Sequence, residues 1–446
     1  MITNMKYQII IGFFLAISTM SFPAFSQSAG GDSLTVDDAV RRVLSTNPSI
    51  EQAAHMVDAS KARVDVSKSP FYPDAGVSLS YARLGPAQAF SFPGFGSIIL
   101  YPLNNYDEHV GASATIFDFD RRQRTVDAAL AQVQNAQDRL NLTRQGLAYQ
   151  TIQTFYTILF LRQSIQVQDD EISTLNEHLA MTRKRVESGS ATDFDALTTE
   201  VRVAAAQNQR IGLVNSLSTN EIALRKLLGA HGESPLKLVG QFAETPIAFK
   251  LDSLENAGLH DRIEMKAADD QIAAAQAQYR VASAIDNPSL NVSLVYGFKN
   301  GFEPNIYAWR GNFAAAVQVQ MPLSGVVPFF GGYRSSKMEE EATATMKGAD
   351  SYRTQVSLQI AADVQKAVTD LRTSLDRLQT ADITVQQAES AVSMAKGRYA
   401  AGTVTNLDLL DAETALAQAK LMRLESLYRY VIGRYELEQA IGAKTW

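Results

Sequence analysis

The chain has 446 residues, of which 46% are hydrophobic and 20% charged, with a formal net charge of −6. That length suits one large or two ordinary domains, and the composition excludes both a disordered chain and one wholly buried in a bilayer. A mildly acidic chain offers nucleic acid no electrostatic footprint, and the lack of any cysteine excludes disulfides, thiolate metal sites and thiol nucleophiles.

Residues 1–26 read as a signal peptide. Lys6 supplies the positive start, residues 9–17 are almost wholly apolar, and Ala24 and Ser26 place small side chains before Gln27. The apolar run is shorter than the ~20 residues a spanning helix needs. Losing Lys6 with this segment takes the formal charge from −6 to −7. No later segment is apolar enough for a spanning helix, so a membrane crossing by this chain is expected to use strands.

The rest of the sequence repeats itself at an offset of 213 residues. Residues 181–200 and 394–413 share seven of twenty positions without a gap: Met181/Met394, Arg185/Arg398, Gly189/Gly402, Thr192/Thr405, Asp195/Asp408, Leu197/Leu410 and Glu200/Glu413. Chance gives about one. Two copies imply a duplication rather than a solenoid. The first repeat is assigned to 27–229, a Gly- and Pro-bearing linker to 230–250, and the second repeat to 251–446.

Each half reads alike in chain order. A short helix, about 48–69 or 261–284, ends before Pro70 or Pro288. Two strands follow, about 76–84 and 109–117 in the first half and 289–298 and 312–321 in the second. A long helix then runs about 120–188 or 333–400. Apart from its last turn, the first of these has no proline and only Gly146 as a breaker, giving a rod of ~100 Å. A glycine turn leads into the last helix, about 193–229 or 406–442. A heptad fits its second copy: Leu407, Leu410, Thr414, Ala417, Leu421, Leu424, Tyr428, Val431, Tyr435.

The strands alternate with period two. Val77, Leu79 and Tyr81 oppose Ser78, Ser80 and Ala82, and Leu290, Val292, Leu294 and Tyr296 oppose Asn291, Ser293, Val295 and Gly297. Aromatic residues crowd the strand ends, as at membrane interfaces. Export, strand length and this pattern favour a transmembrane barrel over a soluble sheet with one buried face. Four strands do not close a barrel, so a spanning chain must oligomerise; strand count alone leaves two, three and four subunits open.

The duplicated tips, Arg185-x3-Gly189-x2-Thr192-x2-Asp195 and Arg398-x3-Gly402-Thr403-x-Thr405-x2-Asp408-x2-Asp411, resemble those of the TolC-like outer-membrane efflux family. The resemblance covers nearly the whole mature chain in element order. It implies a mainly α protein with a small β part: a long helical coiled-coil barrel, and four strands contributed to a trimeric twelve-stranded transmembrane barrel in the outer membrane. It also implies a periplasmic tunnel whose tips meet an adaptor protein and, through it, an inner-membrane transporter. No enzyme activity and no cofactor are expected.

Turn chemistry explains part of the tip motif. Gly189 and Gly402 suit a left-handed helix end, and Ser190, Thr192, Thr403 and Thr405 are candidate N-caps. Asp408 and Asp411, one helical face in the first turns, are less easily explained by capping. By the resemblance they belong, with Tyr399 and Asp195, to the periplasmic entrance, while Arg185, Gly189, Thr192, Arg398, Gly402, Thr403 and Thr405 form the adaptor-docking tips. The family's entrance also uses an arginine where this chain has Val404, which leaves Arg185 or Arg398 as substitutes. His55, His109, His178, His231 and His260 show no metal spacing and read as surface residues. Small-molecule efflux and type I protein secretion stay open as alternatives, as does an exported coiled-coil interaction protein without a channel.

Overall fold

A computed structural model of the chain describes residues 33–86, 89–92, 94, 96–99, 101–230, 236–242, 251–322 and 333–443. The signal-peptide assignment and His231 lie outside these residues. The first half runs α1 (Val36–Thr46), α2 (Pro48–Lys68), β1 (Asp74–Arg83), β2 (Ala89–Phe92), β3 (Gly96–Ile99), β4 (Asn104–Phe117), α3 (Arg121–Glu187) and α4 (Asp193–Leu227). The second runs α5 (Leu251–Asp261), α6 (Ile263–Ala282), β5 (Ser289–Lys299), β6 (Arg310–Gln320), α7 (Arg334–Ala400) and α8 (Asn406–Ala440). Both α3 and α7 have 67 residues, and both α4 and α8 have 35.

The expected helices and strands are all present, with three additions. Helix α1 is separate from α2 because Thr35 and Asp38 form a capping box at its start and Asn47 ends it; the Asn47 side chain then accepts from Ser49 N at 2.9 Å, with Pro48 opening α2. Helix α5 is its counterpart in the second half. The hairpin β2–β3 stands apart from the main sheet. Of the expected linker, residues 236–242 are strapped to the body: Leu34 and Leu238 form a parallel bridge, with Leu34 N to Lys237 O at 2.8 Å. Asp118 caps the start of α3, accepting from Arg122 N at 3.0 Å, whereas Asp120 makes no side-chain cap. Asp120 is instead a left-handed hinge with φ 64°, matched 213 residues on by Tyr333 with φ 62°.

The four long strands form one antiparallel sheet in the order β1-β4-β5-β6. Its register aligns the alternating faces across the whole width. Val77 pairs with Val110, Val110 with Tyr296 and Tyr296 with Phe313, while Ser113 pairs with Ser293 and Ser293 with Ala316. Directly opposed residues share a face, so one face carries Val77, Leu79, Val110, Leu294, Phe313, Val317 and Val319, with Glu108 a charge on it opposite Leu79 and Phe298, and the other is mostly small or polar. The apolar face is bare: Leu79 is 72% and Phe313 77% exposed. Tyr81, Tyr106 and Trp309 stack at the strand ends far from the helices, with ring centroids 5.1 and 5.9 Å apart. Phe117 and Phe119 meet at the other end at 4.7 Å. Strands of 10–14 residues with this belt pattern fit a tilted bilayer crossing. Among the described residues no helix is long and apolar enough to cross a membrane.

The long helices α3 and α7 run unbroken, while shorter helices meet end to end beside them. Asn47 Nδ2 donates to Leu227 O at 2.8 Å and Thr46 Oγ1 to Leu228 O at 3.0 Å, so the α1–α2 junction caps the carbonyl end of α4. Gly229 turns at φ 63°, and a Cβ there would lie 3.1 Å from Thr46 O. Its repeat partner Gly442, φ 74°, leaves less room: a Cβ would meet the Asp261 carbonyl carbon at 2.7 Å. The largest core lies at this level, where Val43 of α1, Ile152, Phe155 and Ile158 of α3, Leu224 of α4 and Val431 of α8 pack together. Along the heptad of α8, Leu410, Ala417, Leu424 and Val431 are buried, while Thr414, Leu421, Tyr428 and Tyr435 are half-buried.

Between this core and the sheet, Asp138 of α3 is 1% exposed, with the Lys266 ammonium of α6 3.6 Å from its carboxylate. Burial first, and the neighbouring Asp270 carboxyl second, hold its pKa above the usual carboxylate value. A raised carboxyl pKa favours the protonated form in the fold, so its stabilising effect is complete below the unfolded value and is lost as pH rises through the folded one. Asp138→Asn is therefore expected to raise the melting temperature at neutral pH and to flatten its fall as pH rises above the ordinary carboxylate range, as followed by circular dichroism. For the sheet, Leu294→Arg is expected to cost ~2–4 kcal/mol near the midplane and Ser293→Arg far less. The yield of folded protein in the outer membrane measures this, and equal loss for both would reverse the face assignment.

Candidate functional site: the paired helix tips

At the end remote from the sheet, α3 turns into α4 and α7 into α8. Each turn is built the same way. Gly189 and Gly402 adopt φ 73° and 71°. Ser190 N closes onto Arg185 O at 2.7 Å and Thr403 N onto Arg398 O at 3.0 Å, satisfying carbonyls the helix end would otherwise leave bare. Thr192 and Thr405 then cap the returning helices. Asp195 N donates to Thr192 Oγ1 and Asp408 N to Thr405 Oγ1, both at 3.2 Å, while Thr192 N and Thr405 N donate back to the aspartates at 2.9 and 2.8 Å. Ser190 and Thr403 are not caps; the Thr403 hydroxyl donates to Arg398 O at 3.1 Å.

This corrects the sequence expectation for Asp408. Its carboxylate completes a capping box, as that of Asp195 does. The Thr405 hydroxyl, and then the Thr405 backbone N–H, hold its pKa below the usual carboxylate value. Asp411 makes no cap. It takes an ion pair from Arg202 of α4 at 2.9 Å, exposed on both sides. Arg185 reaches neither acid: its guanidinium lies 4.3 Å above the Tyr399 ring and donates to Tyr399 O at 3.2–3.3 Å. The two tips of one protomer are thereby joined through Arg185 and Tyr399, with Tyr399 buried. Val404 is half-buried and carries no charge.

One turn behind the tips lies a buried polar cluster that the sequence reading missed. His178 of α3 is buried, not on the surface; its Nε2 is 2.8 Å from Asn406 Oδ1 and its Nδ1 3.0 Å from Glu413 Oε2. Asn406, the first residue of α8, donates through Nδ2 to Asp195 O at 3.1 Å and Thr199 Oγ1 at 3.2 Å. The Thr182 and Tyr399 hydroxyls approach its Oδ1 at 3.4 and 3.3 Å. A search for metal spacing could not find this cluster, because its members come from four helices. The repeat could have: His178 faces Ala391 at the 213-residue offset and Asn406 faces Asp193, so the cluster sits where the two copies diverge. Among the described residues no group of three or more His, Asp or Glu side chains is placed to hold a metal ion.

Comparison with known proteins agrees with this architecture. The family model described as outer membrane efflux protein matches residues 39–230 and 256–443, one match in each half. The outer membrane protein TolC of Vibrio cholerae is 21% identical over 89% of this chain and 88% of its own length. The pyoverdine export outer membrane protein OpmQ of Pseudomonas putida is 23% identical over 86% and 81%. The crystal structure of the outer membrane protein VceC from Vibrio cholerae superposes with a TM-score of 0.75 at 19% identity, covering 92% of this chain and 97% of that one. With both halves matched and the sheet, rods and tips in the corresponding order, the chain belongs to the outer membrane efflux protein family, an outer-membrane channel component and not an enzyme.

Proposed function

We propose that three copies of this chain form a passive exit duct for small solutes, joined through its helix tips to a periplasmic adaptor protein and an inner-membrane transporter. The observation that carries the reading is the four-strand sheet: its apolar face is bare, and among the described residues neither edge strand, β1 nor β6, has a second partner. Lipid does not tolerate open edges, and three sheets of four strands close a barrel of twelve, an allowed even number. Rods of 67 residues then carry the wall ~100 Å from the membrane. Small solutes are favoured over secreted protein by the relative whose name specifies pyoverdine export.

In this reading Asp408, Asp411, Tyr399 and Asp195 surround the periplasmic entrance. The turns bearing Arg185, Gly189, Thr192, Arg398, Gly402, Thr403 and Thr405 dock the adaptor. Their side chains mostly close the turns themselves, so docking rests on the exposed turn surface rather than on these hydroxyls. Three-fold repetition of Asp408 and Asp411 gathers carboxylates about one axis, which attracts cations over a range of ~10 Å at 0.1 M salt.

The Asp408→Asn, Asp411→Asn double variant is expected to lose cation selectivity and block by multivalent cations from the periplasmic side in planar-bilayer recordings. Its mass in detergent should remain that of a trimer, because the change lies at the far end from the barrel. Asp411 is partly offset by Arg202, so Asp408→Asn alone should carry most of the change. Unchanged selectivity and block in the double variant would reduce both residues to helix-start carboxylates.

A further inference from the structure

The buried cluster behind the tips has a geometry that ordinary capping does not require. The amide of Asn406 is oriented by its two donations, to Asp195 O at 3.1 Å and Thr199 Oγ1 at 3.2 Å, so its Oδ1 is what faces His178. On the other side of the ring is a carboxylate oxygen of Glu413 at 3.0 Å. Both imidazole nitrogens thus point at acceptors. A neutral ring donates once; only the doubly protonated ring satisfies both contacts. His178 is 4% exposed and Glu413 6%, so water does not stand in for a lost hydrogen bond.

The charged groups around the pair are few. Lys396 of α7 lies 3.6 Å from the other oxygen of Glu413. The Tyr399 ring is 5.5 Å from the imidazole, with the Arg185 guanidinium on Tyr399. From α4 come the Asp195 carbonyl and the Thr199 hydroxyl, the Asp195 carboxylate being held in its capping box. Farther out, Arg202 of α4 meets Asp411 of α8. Each hairpin, α3–α4 and α7–α8, is a closely packed pair, and near the tips the two pairs are joined through this cluster, the Arg185–Tyr399 stack, the Arg202–Asp411 ion pair and Leu410 of α8, which is buried against Leu175, Leu179 and Val203.

We propose that His178 and Asn406 are positioning residues that hold the two tip hairpins of one protomer at a fixed splay, and that the proton on His178 makes this hold depend on pH. The link to solute entry rests on the reading of the tips as the channel entrance. Loss of the ring's charge leaves one nitrogen lone pair facing an acceptor, which weakens the hold of α3–α4 on α7–α8 and shifts the pair toward a splayed arrangement, Leu410 and the Arg202–Asp411 pair being the links that remain.

The native chain has no cysteine, so cysteines placed at Ser190 and Thr403 can carry spin labels, with labelled protomers diluted among unlabelled ones. In the assembled protein the tip-to-tip distance is expected to be narrow near pH 5.5 and to broaden on going to about pH 8, the splayed population rising roughly tenfold. His178→Gln, which keeps a donor but does not titrate, should remove the pH response; His178→Leu should splay the tips at every pH. Trimer mass and helical content verify that each variant is assembled. A distribution that stays constant with pH in the native sequence, or a pH response that survives in His178→Gln, would overturn the proposal. Conductance recorded in parallel separates the two readings. Splaying accompanied by a rise in conductance supports both, whereas splaying at constant conductance supports the clasp and overturns the entrance assignment.

Discussion

Every level of this protein follows from one requirement: in hydrocarbon, a backbone N–H or C=O without a partner costs several kcal/mol. Among the described residues a sheet of four strands leaves β1 and β6 each with a bare edge. Closure has to come from copies of itself, and closure by rotation about one axis brings everything attached to the strands around that axis. The helices need no separate instruction to form a tube. The left-handed residues Asp120 and Tyr333 aim α3 and α7 out of the sheet at equivalent points, and the ring does the rest.

Duplication supplied most of the geometry, and divergence supplied the site. Hinge residues, turn glycines, capping boxes and the terminal glycines Gly229 and Gly442 all recur at the same offset. So do ion pairs between adjacent helices: Asp169–Arg210 becomes Asp382–Arg423, and Arg183–Glu200 becomes Lys396–Glu413. In the first copy Glu200 is half exposed, and its pair contributes little. In the second, Glu413 is buried and has gained His178 as a neighbour. A surface ion pair in one hairpin has become the anchor of an interior network in the other, with no change in the carboxylate itself.

The parts of the fold legible in the sequence were those with a long, uniform period. Alternation in residues 289–298 and proline-free stretches of more than sixty residues survive any reasonable error at their ends. Even the sidedness of β1 and β5 was right: the pairing of Val77 with Val110 and of Val110 with Tyr296 puts their apolar residues on one face. Helices α1 and α5 were missed because eleven residues give only three turns of pattern, and Asn47 and Arg262 separate them from stronger neighbours. At the tips, the glycines and threonines were legible as turn chemistry. The capping by Asp408 was missed although its spacing from Thr405, three residues, is that of a capping box. His178 was illegible for a different reason: burial on a helix touched from two sides depends on partners more than two hundred residues away.

The end-to-end joints at Gly229 and Gly442 set the mechanics of the wall. At that level α4 and α8 stop against α1 and α5, whereas α3 and α7 pass through without a break, locked around Phe155 and Leu371. The joint is a fulcrum. From Phe155 to the end of α3 at Glu187 the lever is 32 residues, or ~48 Å, so a tilt of only ~10° there swings the tip by ~8 Å. The opposite arm is tied into a closed sheet whose hydrogen bonds resist the same rotation. Bending at this joint therefore displaces the tips far more than the strands.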